Sequence, residues 1–301
     1  MAKIIKSETS LKYDYTIESF QAEEVELKAY KSSYREYDKN GNLIIDINYE
    51  SSGDINEKYI LNYDGNGHLN EKIIFYDENE IAEKLIYERD EKGKLLKVLK
   101  HYSEGSIDTI FYKYDKDNLI EKSTVDSDGD EDEKEIFKYK NGKIVSEEIL
   151  DFNNELIEKN TYKFDEKGNL TEKNSLNSED DKKVRLEYFY IENGEQEKIL
   201  YYNDSNQLIA KSMYKYNEAG KIIQLIEEGQ NHKSILKLEY DKNGNVIKQE
   251  EYGDENQLNN SIERKFDIEN NLLESKVSIN KHGLGINDDY VIKIEYEFFD
   301  D

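Results

Sequence analysis

The feature that most narrows the fold is a seven-residue phrase that returns along the chain: YDKNGNL at 37–43, YDGNGHL at 63–69, FDEKGNL at 164–170 and YDKNGNV at 240–246. Aligned on its first position, the phrase has anchors at Tyr37, Tyr63, Arg89, Tyr114, Tyr139, Phe164, Tyr190, Tyr216, Tyr240 and Phe266, spaced by 24 to 26 residues. A fixed period of that size signals an array built from one supersecondary unit. A looser turn lies in the middle of each unit, as in YESSGDIN at 49–56 and YNDSNQL at 202–208. Each period therefore divides into two strands of about eight residues and two short turns, which is a β-hairpin.

The strict turn follows from its residues. Asp38 suits the first position of a type I turn, because its carboxylate accepts from backbone N–H groups ahead of it, and Gly41 stands where the chain needs positive φ. Asn270 replaces the glycine in FDIENNL, and Asn tolerates the left-handed region best after Gly. YDKDNL at 114–119 is one residue shorter, and Asn118 is expected to take the left-handed position there.

The strands alternate. Ile110, Tyr112 and Tyr114 share one face while Phe111, Lys113 and Asp115 take the other, and the pattern repeats in Leu236, Leu238, Tyr240 and in Ile292, Ile294, Tyr296. One face is thus apolar and aromatic and the other a charged ladder. The chain has no proline, which suits strands that must donate along both edges. The fold class expected is all-β: a tandem β-hairpin array of about ten units, each of about 25 residues, forming a long twisted or coiled antiparallel meander sheet. Residues 1–30 depart from the repeat and are expected to cap an array spanning 31–301.

Charge bears on partners. The 301 residues include 42 Lys plus Arg against 68 Asp plus Glu, a net charge of −26. Such a field repels nucleic-acid phosphate and anionic lipid and attracts basic proteins. The chain has no cysteine, so disulfides, thiolate metal sites and cysteine nucleophiles are excluded. MAKIIKSETSLKYDY at the start lacks the apolar core of a leader peptide, and no apolar run is long enough for a membrane helix. Taken as written, this predicts a cytoplasmic protein with no membrane and no nucleic-acid partner, or a secreted or surface protein if a native leader precedes Met1.

The units resemble the YD repeats of bacterial RHS proteins, and more loosely the MORN-like repeats of the YwqK-type antitoxin family, over residues 34–275. The position after the glycine, often Arg in RHS proteins, is Asn42, His68, Lys94, Lys143, Asn169 and Asn245 here. The resemblance implies a coiled strip of hairpins without a toxin cargo or a proline-containing cleavage region.

Little chemistry is legible. His68, His101, His232 and His282 share no metal-binding spacing. Asp126, Asp128, Asp130 and Asp132 in VDSDGDEDE place carboxylates at alternating positions, as a calcium loop does. They lack the later glycine and the twelfth-position Glu of an EF-hand, so a solvated turn is the preferred reading. No nucleophile elbow, Walker loop or dinucleotide fingerprint occurs, and the expectation is a protein that is no enzyme and needs no cofactor. The candidate site is the tyrosine face, with Tyr112, Tyr114, Tyr139, Tyr162, Tyr188, Tyr190, Tyr214, Tyr216 and Tyr240 as partner-binding residues, since Tyr is enriched at interfaces. The function expected is a non-catalytic scaffold that binds a basic protein as the immunity or antitoxin half of a toxin pair. The alternative is a secreted or surface repeat protein that binds glycan or forms a structural shell.

Overall fold

The computed structural model describes residues 3–15, 27–281 and 286–300. The described chain is a succession of 22 antiparallel strands, with one short 3₁₀ turn at Asp254–Asn256. The first half comprises β1 (Ile5–Tyr15), β2 (Leu27–Tyr37), β3 (Leu43–Tyr49), β4 (Ile55–Tyr63), β5 (Leu69–Phe75), β6 (Ile81–Arg89), β7 (Leu95–Tyr102), β8 (Ile107–Asp115), β9 (Asn118–Val125), β10 (Glu131–Lys140) and β11 (Lys143–Leu150). The second comprises β12 (Leu156–Phe164), β13 (Leu170–Asn177), β14 (Lys182–Tyr190), β15 (Gln196–Tyr202), β16 (Leu208–Tyr216), β17 (Ile222–Gly229), β18 (Lys233–Tyr240), β19 (Val246–Tyr252), β20 (Leu258–Phe266), β21 (Leu272–Lys281) and β22 (Ile286–Phe298).

Each strand pairs with the next, and β1 pairs with β22 as well as with β2. The seam registers Thr9 opposite Glu295, Leu11 opposite Lys293 and Tyr13 opposite Val291. The expected open or spirally coiled meander is therefore corrected to a closed barrel. Right-handed twist accumulated over many strands curls a sheet, and an open sheet of this length would leave two edges of unpaired N–H and C=O groups. Closure removes both edges, so all 22 strands are central and the lack of proline fits every one of them. Residues 5–15 and 27–30, outside the repeat in sequence, supply β1 and the start of β2 at this seam.

The strict turns take the form their residues specify. Asp38 Oδ1 accepts from the backbone N–H groups of Asn40 and Asn42 at 2.8 and 2.9 Å, Gly41 has φ +84° and Asn270 φ +70°. The N–H groups that bind the carboxylate hold Asp38 below the usual range, the Asn42 side chain contributing most. In the short turn after Asp115, Lys116 rather than Asn118 takes positive φ, at 55°. Asn118 already pairs with Asp115 as the first residue of β9, so the tighter turn shifts the left-handed position two residues earlier. A bulge then follows at nearly every strict turn, as between Glu36 and Tyr37 or between Lys163 and Phe164.

The ring has no solid core. No side chain is more than 98% buried, and the apolar residues that fall below a tenth exposed are Ala82, Val98, Ile199, Ile235 and Val291. The chain exposes 19,599 Å², whereas a compact monomer of its 35.5 kDa would expose about 13,000 Å². The excess is the second face of a sheet one layer thick. With strands about 4.8 Å apart, 22 of them measure about 106 Å around and give a backbone radius of about 17 Å, widened further by strand tilt.

Candidate functional site

Residues directly opposite across a ladder share a face, so the register sorts the side chains into two walls. One wall carries Tyr59, Leu85, Tyr87, Ile110, Tyr112, Phe137, Tyr162, Leu186, Tyr188, Ile199, Tyr201, Tyr214, Leu225 and Leu238. The other is the charged ladder, with Glu71 to Lys84 at 2.5 Å, Lys97 to Glu88 at 3.1 Å, Lys163 to Glu172 at 2.8 Å and Lys265 to Glu274 at 2.8 Å.

Desolvation tells inside from outside. Burial is the leading cause that raises the hydroxyl pKa of Tyr87, Tyr112, Tyr162, Tyr188, Tyr214 and Tyr296, the last to about 12. On the charged wall, Glu71, Glu148, Glu172 and Glu274 are lowered chiefly by their lysine partners, and the Lys113, Lys163 and Lys265 side chains are 64%, 68% and 66% exposed. In a closed ring only the concave wall has another wall across from it. The tyrosine wall is therefore the lumen and the lysine–glutamate ladder is the outside.

The nine predicted tyrosines all lie on the lumen wall, in three situations. Tyr139, Tyr190, Tyr216 and Tyr240 donate their hydroxyls to the carbonyls of Leu119, Leu170, Gln196 and Ile222 at 2.7 to 2.9 Å. Tyr63 and Tyr296 do the same to Leu43 and Leu272. Each of these carbonyls lies at a strict turn, where the paired strands part and the ladder leaves it without a backbone donor, so the hydroxyl closes the gap. These residues are staples of the barrel rim. Tyr114 sits under the Lys94 ammonium, 4.8 Å from the ring centroid; Lys94, like Lys143 and Lys221, also donates to a carbonyl of the next strict turn along. Tyr162 donates to Glu147 at 2.6 Å. Tyr112, Tyr188 and Tyr214 stand deeper, two residues inside the rim.

Sequence reasoning missed Tyr87, Phe137 and Tyr201, which complete this deeper band. Tyr87 and Phe137 precede their anchors Arg89 and Tyr139 by two residues, the same offset as Tyr112, so the period alone would have found them. Tyr201 lies on an odd strand, where no anchor marks it. Across the lumen from β14 lie strands with a different lining: Arg35 bridges Glu8 at 2.9 Å and Asp46 at 3.1 Å, and Arg264 donates to Gln249 at 3.2 Å.

The other candidates resolve locally. Asp126 Oδ1 accepts from the N–H groups of Asp128 and Asp130 at 2.9 and 3.0 Å, the same turn geometry as Asp38, and among the described residues no group of His, Asp or Glu is arranged to hold a metal. His68 Nδ1 lies 3.2 Å from Asp64 within its own turn, His101 and His232 are far from it along the ring on β7 and after β17, and His282 lies outside the described residues.

No protein-family model and no curated protein matches the chain. Among solved structures it is similar to a porin-like protein from Bacteroides uniformis, with 9% identity, a TM-score of 0.36 and 98% of this chain against 99% of that one. It is similar to a porin-like protein from Bacteroides vulgatus at 12% identity and TM-score 0.25, again over 98% and 99% of the chains. Against the Photorhabdus luminescens Tc holotoxin pore the figures are 14% and 0.30, over 86% of this chain and 19% of that one. Likenesses at this level fix neither fold nor role, and the closed ring stands on its own strand pairings.

Closure overturns the functional expectation as well. The immunity scaffold, and its glycan-binding or shell-forming alternative, required an open strip whose aromatic face lay free for a macromolecular partner. In the ring that face is turned inward and the face offered outward is an ion-paired ladder, so the basic protein partner has no surface of the kind invoked. The exclusion of a membrane and the cytoplasmic placement rested on the absence of an apolar run. No helix of the described residues is long and apolar enough to cross a membrane, but a barrel satisfies its backbone without one, so neither inference stands. Any lipid contact would meet the outer lysines, each costing about 2–4 kcal/mol at a bilayer midplane.

Proposed function

We propose that the protein is a hollow β-barrel that works through its lumen, admitting small solutes to a wall of tyrosine rings. The observation that carries the reading is the combination of a seam closed between β1 and β22 with a surface half as large again as that of a solid monomer. A wall of this kind offers apolar ring faces for stacking and polar tips for orientation, while ion pairs on the outer wall keep that side hydrated. No group on the lumen wall is arranged as nucleophile with base, so the role proposed is uptake and holding, without catalysis.

The test uses the absence of native cysteine. Thr124 faces Ile110 on the lumen wall and Ser123 faces Phe111 on the outer wall. Single variants Thr124→Cys and Ser123→Cys are treated with a small maleimide and with a maleimide carried on a large polyethylene glycol. The expected result is that both cysteines react with the small reagent, while the large one reacts with the outer cysteine alone. An inner cysteine inert to the small reagent, or one that takes both reagents at the outer cysteine's rates, overturns the reading.

A further inference from the structure

Most rings of the barrel already hold a cation of their own. Lys72 lies 4.2 Å from the Tyr59 centroid, Lys94 4.8 Å from Tyr114, Lys173 5.8 Å from Tyr162 and Lys221 5.2 Å from Tyr240. One part of the lumen wall breaks this pattern. On the three neighbouring strands β14, β15 and β16, no Lys or Arg among the described residues lies over Tyr188, Tyr201 or Tyr214.

These three rings surround a common floor. Ile199 pairs with Tyr188 on one side and with Ser212 on the other, and Tyr201 reaches along its strand to place its hydroxyl 3.4 Å from Ser212 Oγ. Tyr214 follows Ser212 by two residues on the same wall. Ser212 is 3% exposed and Ile199 8% exposed, although both lie on a wall that otherwise faces open space. Their cover is the three tyrosines. The phenols are near enough for each to resist the ionisation of another, which adds to burial in raising Tyr188 and Tyr214. The charged neighbour of the floor is Glu227, directly opposite Ser212, and it also bears on Tyr214.

We propose that Tyr188, Tyr201 and Tyr214 form a cage in the lumen that binds a small organic cation of the quaternary ammonium class. Three ring faces without a resident cation, an apolar floor and a carboxylate at one side are the features such a group requires: its charge is held by ring faces, its methyl groups fill an apolar cavity, and no strong hydrogen bond is needed. The net charge of −26 raises the local concentration of cations at the mouth of the barrel. A Lys or Arg from the wall would satisfy the same rings, and at Tyr59, Tyr114, Tyr162 and Tyr240 it does, so the empty faces are what distinguishes this place.

The inference rests on the lumen reading, and its test separates the two. Choline and its uncharged carbon isostere 3,3-dimethylbutanol are titrated into the intact protein, with affinity followed by calorimetry and the trimethyl resonance by proton NMR. Choline is expected to bind about tenfold more tightly than the isostere, with its methyl resonance shifted upfield by the ring faces. Tyr188→Leu and Tyr214→Leu are expected to abolish most of that preference, Tyr188→Phe to keep it, and Tyr76→Leu, at a ring 63% exposed on a turn, to leave it unchanged. Melting curves of the variants identify any that fail to fold, and the comparison of Tyr188→Phe with wild type decides in that case. Equal affinity for the isostere, absence of the upfield shift, or an unchanged preference in both Leu variants overturns the cage. If the inner cysteine at position 124 labels as expected while choline fails, the cage alone falls; if both fail, the lumen reading falls with it.

Discussion

Closure between the first and last strands is tested by a disulfide across the seam. Thr9 and Glu295 are directly opposite in the β1–β22 ladder, and both point to the outer wall, where an oxidant reaches them. Directly opposite residues have Cα atoms about 4.5–5.5 Å apart, within the span a disulfide bridges. The double variant Thr9→Cys, Glu295→Cys brings the only two thiols into the chain, and the bond encloses 295 minus 9, or 286, residue steps. Chain entropy for a loop of that size gives about 5.6 kcal/mol, and measured disulfides more often deliver about 2–4 kcal/mol. Unfolding entropy scales to about 0.63 kcal/mol per kelvin for a chain of 301 residues. The oxidised protein is therefore expected to melt about 3–9 °C above its reduced form. Thiol titration under mild oxidation should fall to zero with the far-ultraviolet spectrum unchanged. A protein that stays fully folded and keeps two free thiols refutes the closed seam, because in an open strip these residues lie at opposite ends of the sheet.

Two further outcomes follow from the lumen wall. Tyr190→Phe deletes the hydroxyl that satisfies the Leu170 carbonyl; about 1 kcal/mol is lost, and the melting temperature falls by about 1.6 °C by the same scaling, whereas Phe189→Tyr on the outer wall has no carbonyl to close and leaves the melting temperature within a degree or so. Tyr296 titrates at about 12 in the fold against about 10 when unfolded, so the neutral form is favoured by folding. That stabilisation is complete below pH 10 and is lost as the pH rises toward 12. Equilibrium denaturation between pH 9 and 12 should show stability declining throughout the upper part of that window, and a flat profile would contradict the burial of the tyrosine wall.

Much of the local structure was legible in particular residues. Asp38 and Gly41 specify a turn whose hydrogen bonds need only six consecutive residues, and Ile110, Tyr112 and Tyr114 specify a face through a period of two. The candidate tyrosines were located on the right wall, but their roles were not, because a staple is defined by its acceptor. Tyr190 closes on a carbonyl 20 residues earlier, at a point where two strands part, and nothing in the sequence around either residue marks that carbonyl as lacking a donor. Tyr188, one turn of the pleat away, carries the same chemistry and faces open space.

What the sequence by itself determined is the hairpin, its repeat, the alternation of aromatic and charged walls and the absence of any strand suited to an edge. What only the tertiary structure decided is that the meander meets itself. Curvature is a sum of small rotations over 22 strands, so no single repeat encodes it. The closing contact depends on β1, which lies outside the repeat and pairs with β2 on one side and β22 on the other. That one set of hydrogen bonds turns an open aromatic face into an enclosed lumen, and so changes what the same tyrosines can touch.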